Sequence, residues 1–174
     1  MRSSYCTAAL FLALATAPRL GAQAKPDTTR DVSIEFLQSR AQTIVTMEKK
    51  ALDPVSRLGA FYAFAGHTQQ APAPELTLHL VRSATQWAWA YDHTVVLVLD
   101  DKSRLSLPRA IRSATVGEGY MLEQIMMPLS REQAAQVAQA RKVTMQVGGD
   151  AFVWSDTLQR AFREIVASAG GSAR

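Results

Sequence analysis

The sequence predicts a mainly β protein: an antiparallel β-sandwich, or a partly open barrel, with one short inserted helix and a C-terminal helix. Apolar and polar residues alternate at 76–80 (LTLHL), which is typical of a strand with one buried face. Turn-forming residues separate such segments, as at 100–103 (DDKS) and 148–150 (GGD). Signals for a helix start occur at only a few places. No internal repeat is present, so one domain accounts for all these elements.

Nine segments are predicted to be strands. The segment 94–99 is apolar on both faces, which predicts a central strand covered on both sides. Between 32 and 51 a helical stripe overlaps the β-branched run 43–46, and we favour a strand over 43–48. The segment 109–119 is predicted to be a loop whose glycines allow a positive-φ turn or a close backbone approach. The predicted strands are 43–48, 58–65, 76–80, 87–91, 94–99, 104–107, 120–129, 143–147 and 151–154.

Two helices follow from capping signals. Ser130 and Gln133 have capping-box spacing: the Ser130 hydroxyl can accept from the amide of Gln133, and the Gln133 side chain can reach back, which predicts a helix to about Ala140. Ser155 is a second N-cap, with Asp156 in the first turn, where the helix dipole favours an acid. One apolar stripe follows it and should close an open end or face of the sandwich: Leu158, Ala161, Phe162, Ile165 and Ala169.

The first 24 residues have the form of a secretory signal peptide. Arg2 precedes an apolar run at 8–17, and Ala22-Gln23-Ala24 is a small-x-small ending that predicts cleavage before Lys25. The apolar run is about half of the ~20 residues that a membrane-spanning helix needs, and no later stretch is long and apolar enough to span a bilayer. The protein is therefore predicted to be exported, to the periplasm or the extracellular space.

The predicted organisation is a signal peptide at 1–24, a partly ordered N-terminal arm at 25–42, one β-sandwich-like domain at 43–170 and a disordered tail at 171–174. Without the signal peptide, 150 of the 174 residues remain, which is enough for a conventional hydrophobic core. The single cysteine, Cys6, is removed with the signal, so disulfides, cysteine nucleophiles and zinc–thiolate sites are excluded.

The charge pattern argues against nucleic acid as a partner. Loss of Arg2 and Arg19 lowers the 19 basic residues to 17, against 15 acidic ones. The longest basic runs are pairs, Lys49-Lys50 and Arg141-Lys142. A nucleic-acid-binding domain would instead carry a strong basic patch.

Trp87, Trp89 and Tyr91 are the candidate binding residues. On a strand they would lie on one face at i, i+2 and i+4, alternating with Ala88 and Ala90. Such a face could be a flat platform for a sugar or a peptide, since aromatic rings stack on apolar ligand surfaces. The same face is also what an antiparallel sandwich needs to fill its core, and we favour the core because the opposite face carries only alanines.

No residues are assigned to catalysis, to a metal or to a cofactor. His67, His79 and His93 are the only histidines, and no local pair with metal-ligand spacing occurs. Nucleophile-elbow, S-x-x-K, P-loop and dinucleotide-binding motifs are absent from the sequence. A pair of carboxylates could still meet in space for glycoside hydrolysis, so an enzyme stays open. The carboxylates considered are Asp92, Asp100, Asp101, Glu118 and Glu123.

Segments between about Ile34 and Phe162 resemble small exported bacterial β-rich proteins of uncharacterised function. The most specific part of this resemblance is the ending, in which a helix is followed by ARKVTMQVG, AFVWS and a second helix. The resemblance implies a β-sandwich with added helices and carries no catalytic residues over to this chain.

The leading functional hypothesis is a non-catalytic domain that binds an envelope protein or a small ligand. An exposed edge strand would offer main-chain pairing to such a partner. Two alternatives stay open: a hydrolase-type enzyme whose site is built from the loops 66–74 and 109–119, and a carrier of small apolar ligands. The carrier requires a closed barrel with a cavity lined by Trp87, Trp89 and methionines.

Overall fold

The computed structural model describes residues 31–170, which form two antiparallel sheets, a short 3-10 helix and two α-helices. The predicted fold class is confirmed, and because the sheets do not close into a barrel, the protein is a sandwich. The predicted signal peptide and C-terminal tail lie outside the described residues. The strands are β1 (Val32–Leu37), β2 (Gln42–Ala51), β3 (Ser56–Ala65), β4 (Glu75–Ala84), β5 (Val95–Leu99), β6 (Ser103–Ser106), β7 (Ile111–Gly117), β8 (Tyr120–Ser130), β9 (Val143–Val147) and β10 (Asp150–Val153). The helices are the 3-10 turn Gln38–Arg40, α1 (Arg131–Gln139) and α2 (Asp156–Ala169).

The larger sheet has six strands in the order β1-β2-β3-β4-β8-β7, and the smaller has four in the order β10-β9-β5-β6. Every neighbouring pair is antiparallel. The edges of the larger sheet are β1 and β7. The segment interpreted as an N-terminal arm therefore contributes one of these edge strands, at 32–37.

The core lies between the sheets and follows the alternation read in the sequence. In β4 the leucines at 76, 78 and 80 are buried, and in β8 the residues at 125, 127 and 129 are buried opposite them across the ladder. Helix α2 contacts β1, β2 and β3 and buries its apolar stripe against them. Trp154 and Phe162 meet there edge to face, with ring centroids 5.3 Å apart.

Both predicted helix starts are confirmed. The amide of Gln133 donates to Ser130 Oγ at 3.2 Å and the amide of Ser130 donates to Gln133 Oε1 at 2.9 Å, which is a complete capping box. The amide of Leu158 donates to Ser155 Oγ at 3.3 Å at the start of α2. These caps satisfy amides that have no partner inside the helix.

One strand prediction is wrong, and one segment predicted to be a loop is a strand. Residues 87–91 form a loop and not a strand, because the backbone amides of Ala88 and Trp89 donate to the side chain of Glu123, as described below. The segment 111–117, expected to be part of a loop, is β7 and pairs along its whole length with β8. Its sequence, IRSATVG, has no consistent alternation of apolar and polar residues, because a strand at a sheet edge has little surface to bury.

Strand β5 is central in its sheet but is buried on one face only. Val96 and Val98, on its outer face, are half-buried, so the expected cover on both sides is wrong. Long polar side chains from the two neighbouring strands shield them in part: Arg104 Nη2 donates to Gln146 Oε1 at 2.8 Å. Such shielding by neighbouring side chains lets apolar residues occupy an outer face.

The turn between β7 and β8 depends on a glycine. Gly119 has φ +75°, in the left-handed region, which confirms the predicted positive-φ turn, and no atom lies within 4 Å of where a Cβ would be. We expect Gly119→Ala to lower the free energy of unfolding by about 1 kcal/mol, since only the backbone conformation opposes the methyl group. Urea denaturation measures this.

Gly149 provides the matched control. It also has open space around its Cβ position, but its φ is not in the left-handed region. Gly149→Ala should be neutral or slightly stabilising. Equal losses of stability in the two variants would contradict this explanation of the turn.

Candidate functional site

A carboxylate with no solvent exposure lies at the centre of the candidate site. Glu123 is in β8 on the face toward the core, and its side chain is 0% exposed. Its Oε2 accepts from the amide of Ala88 at 2.8 Å, and its Oε1 accepts from the amide of Trp89 at 3.1 Å. Arg112 Nη2 donates to Oε1 at 3.0 Å, and Arg82 Nη1 lies 3.5 Å from Oε2. The carboxylate is thus surrounded by four donors.

The strand register places the two arginines beside this carboxylate. Arg82 in β4 pairs directly with Glu123, while Arg112 in β7 pairs with Ile125, the next residue on the same face of β8. Residues paired across an antiparallel ladder project to the same side of a sheet, so both guanidinium groups reach the carboxylate from flanking strands.

The environment keeps Glu123 ionised. Burial alone would raise its pKa, because it penalises the charged form, but the hydrogen bonds from the Ala88 amide, Arg112 and the Trp89 amide outweigh burial. The pKa of Glu123 is therefore held below its usual value.

The three aromatic candidates lie in the loop whose backbone amides donate to Glu123, and each has a different solvent exposure. Trp89 is fully buried: its indole Nε1 donates to Asp150 Oδ2 at 2.9 Å, and its ring meets Phe152 edge to face at 6.5 Å. Trp87 is 39% exposed, and Tyr91 is fully exposed. The predicted ladder on one strand face is wrong, although Trp89 does belong to the core.

Trp87 connects this loop to the edge of the larger sheet. The guanidinium carbon of Arg112 lies 5.3 Å from the centroid of the Trp87 ring, a cation–π distance. Eight large apolar side chains are more than a third exposed among residues 31–170, and four of them lie in or beside β7. We call these four the edge patch: Trp87, Ile111 (60% exposed), Val116 (68%) and Tyr120 (47%).

The histidines do not come together. Among residues 31–170, no group of three or more His, Cys, Asp or Glu side chains could hold a metal ion. His67 stacks on Phe36 with ring centroids 3.6 Å apart, and His93 is exposed. His79 Nε2 and Gln124 Oε1 lie 2.9 Å apart on the outer face of the larger sheet, and burial lowers the pKa of His79.

The other carboxylates considered for catalysis stand apart from Glu123. An open cleft of about 330 Å³ includes Asp92 and His93, whereas Glu118 lies in the β7–β8 turn. The backbone amide of Thr94 donates to Asp92 at 3.0 Å and lowers the pKa of that carboxyl. Asp100 and Asp101 occupy the exposed turn between β5 and β6.

Comparisons with known proteins add no relative. No protein-family model, no curated protein and no solved structure matches this chain. Within residues 31–170, helices long and apolar enough to cross a membrane are absent.

Replacement of the central carboxylate tests its structural role. We expect Glu123→Gln to lower the free energy of unfolding by about 3 kcal/mol at neutral pH, because it leaves two arginines without their counter-ion in a buried place. The folded pKa of Glu123 lies below its ordinary value of 4.5, so its contribution is present above that pH and is lost as the pH falls through the lower folded value. The difference between wild type and variant should therefore shrink in acid. Urea denaturation at a series of pH values measures both effects.

Glu118→Gln is the matched control, because it makes the same chemical change in an exposed turn. We expect it to change stability by less than about 0.5 kcal/mol. A Glu123→Gln variant as stable as this control, with the wild-type pH dependence, would contradict the proposed role of the carboxylate.

Proposed function

We propose that this protein is an exported binding module that takes an extended segment of an envelope protein as an additional strand along β7. The observation that carries the proposal is the edge patch on β7, a strand that pairs with β8 on one side and has no neighbouring strand on the other within residues 31–170. Strand addition supplies main-chain hydrogen bonds for affinity, and side-chain contacts on both faces supply specificity. Non-specific edge pairing is a liability that proteins commonly suppress at exposed edges.

The strand β7 offers more for such pairing than the other three edges. Strands β6 and β10 have four residues each. Strand β1 has six residues, and Ile34 is the large apolar side chain that it leaves exposed. Strand β7 has seven residues, and its backbone hydrogen bonds within residues 31–170 run to β8 alone.

An incoming strand would find apolar contacts on both faces of the sheet. Met126 of β8 lies between the buried residues Ile125 and Met127, so it projects to the outer face. Ile111 pairs with Met126 and projects to the same face. Tyr120, an even number of residues before Met126 on β8, does so too. Val116 projects to the opposite face, the side on which Trp87 contacts Arg112. Alternate residues of a bound segment would cover these side chains in turn.

The rival functions find less support in the geometry. The carrier hypothesis needs a closed barrel, and the two sheets do not close. The hydrolase hypothesis used 109–119 as a loop, and most of that segment is strand β7.

The proposal is tested by selecting peptides from a displayed random library on the purified protein and measuring their affinity by calorimetry. We expect selected peptides to contain alternating apolar residues and to lose about tenfold or more in affinity for Ile111→Lys, because a charge on an edge strand blocks pairing. Ile111 is 60% exposed, so the thermal stability should barely change.

Ile34→Lys is the matched control, since Ile34 is 71% exposed on the opposite edge strand. It should leave peptide binding unchanged. Methylation of alternate backbone nitrogens of the peptide should abolish binding in one register and spare it in the other, since alternate residues of an added strand face the neighbour. Selected peptides that ignore both Ile111→Lys and N-methylation would overturn the proposal.

A further inference from the structure

The buried charge cluster behind β7 is not neutral. Arg82 and Arg112 share the single carboxylate of Glu123. Within residues 31–170 neither arginine forms an ion pair with any other acid. The cluster therefore carries one net positive charge at a place where the arginine side chains are only about a fifth exposed (19% and 20%).

Arg112 is the member of the cluster with a buried donor that has no hydrogen-bond partner. Arg82 Nη1 also donates to the backbone carbonyl of Gln86 at 2.6 Å. Arg112 donates from Nη2 to Glu123, while its Nε is buried without a hydrogen-bond partner. The ring of Trp87 contacts this guanidinium but offers it no hydrogen-bond acceptor.

Arg112 lies on the strand with which an added strand would pair, and its side chain is 20% exposed. A strand paired with β7 places side chains opposite Arg112 and Ala114 on the same face, with Cβ atoms about 5 Å apart. Ala114 is exposed and short, so it leaves space beside the guanidinium. A carboxylate on that face of the added strand can reach Arg112 and neutralise the cluster.

A second copy of this chain cannot supply this carboxylate from β7. The strand reads IRSATVG and contains no acidic residue. Two copies paired through β7 would bring two net positive clusters together, which disfavours that pairing. An inward-pointing charge is also a known means by which edge strands avoid non-specific pairing.

We propose that the segment bound at β7 carries an acidic residue that pairs with Arg112 beside Trp87, between apolar residues that cover Ile111 and Val116. This inference rests on the proposed strand addition and specifies its partner: an extended segment in which apolar residues flank one Asp or Glu.

The inference is tested with three synthetic versions of a selected peptide, which carry Glu, Gln or Lys at the position facing Arg112. Calorimetry should show about a tenfold loss from Glu to Gln, and a further loss for Lys, because the pair is partly desolvated. Raising the ionic strength should weaken the Glu peptide more than the Gln peptide. Equal affinities of the three peptides would overturn the inference.

Two charge variants of β7 provide the matched comparison and keep Arg82, Arg112 and Glu123 themselves unchanged. Ala114→Glu places an acid on the face of Arg112, and we expect it to remove the preference for Glu over Lys. Thr115→Glu makes an equal charge change at an exposed position on the opposite face and should leave the preference intact. Thermal melts confirm that both variants are folded.

The outcomes separate this inference from the proposed function. Peptides that lose binding with Ile111→Lys but lack an acidic residue would overturn the acidic partner and leave strand addition standing. The absence of any peptide sensitive to Ile111→Lys would overturn both. A dimer in solution that Ile111→Lys dissociates would show that a second copy occupies β7, and would overturn the acidic partner.

Discussion

The burial of one ionised carboxylate organises the half of this sandwich that contains the candidate site. An unpaired charge without solvent would destabilise the fold by several kcal/mol, so Glu123 requires donors from its surroundings. They come from β4, from β7 and from the loop that leaves β4. Because that loop supplies two backbone amides, its path is fixed, and Trp89 is directed into the core against Phe152 of the smaller sheet. One carboxylate thereby links both sheets and an edge strand.

The same network explains how β7 can be an edge strand and still pair with β8 along its whole length. An edge strand has one neighbour and buries little apolar surface, so its own composition holds it weakly. In this protein the ion pair from Arg112 to Glu123 and the contact with Trp87 add to the ladder with β8. Apolar side chains can then remain exposed along the strand without loss of its pairing, which is the state that a strand-binding surface needs.

The sequence predicts most elements of this fold because alternation and capping are local signals. The strands with one buried face and both capped helices follow from them. The segment 87–91 misled the prediction, since its perfect alternation is overridden by hydrogen bonds to Glu123, about 35 residues away. The sequence also contains a signal of the site that the prediction did not use. Arg82 falls on the same strand face as the buried leucines at 76, 78 and 80, and Glu123 falls on the same face as Ile125. Charged residues at core positions of two strands indicate a buried ion pair.

The unequal number of charges in the cluster separates two explanations of Arg112. If the arginine served stability alone, one guanidinium would suffice to balance Glu123, and the second would add a desolvation cost without an acid of its own. If it only guarded the edge against aggregation, apolar side chains would be a poor choice for the same strand, because they favour the association that the charge opposes. The proposed surface attracts a segment through its apolar residues and disfavours any segment that leaves the extra positive charge of the cluster unbalanced, which satisfies both observations. Attraction combined with a penalty for the wrong partner is how binding sites acquire specificity.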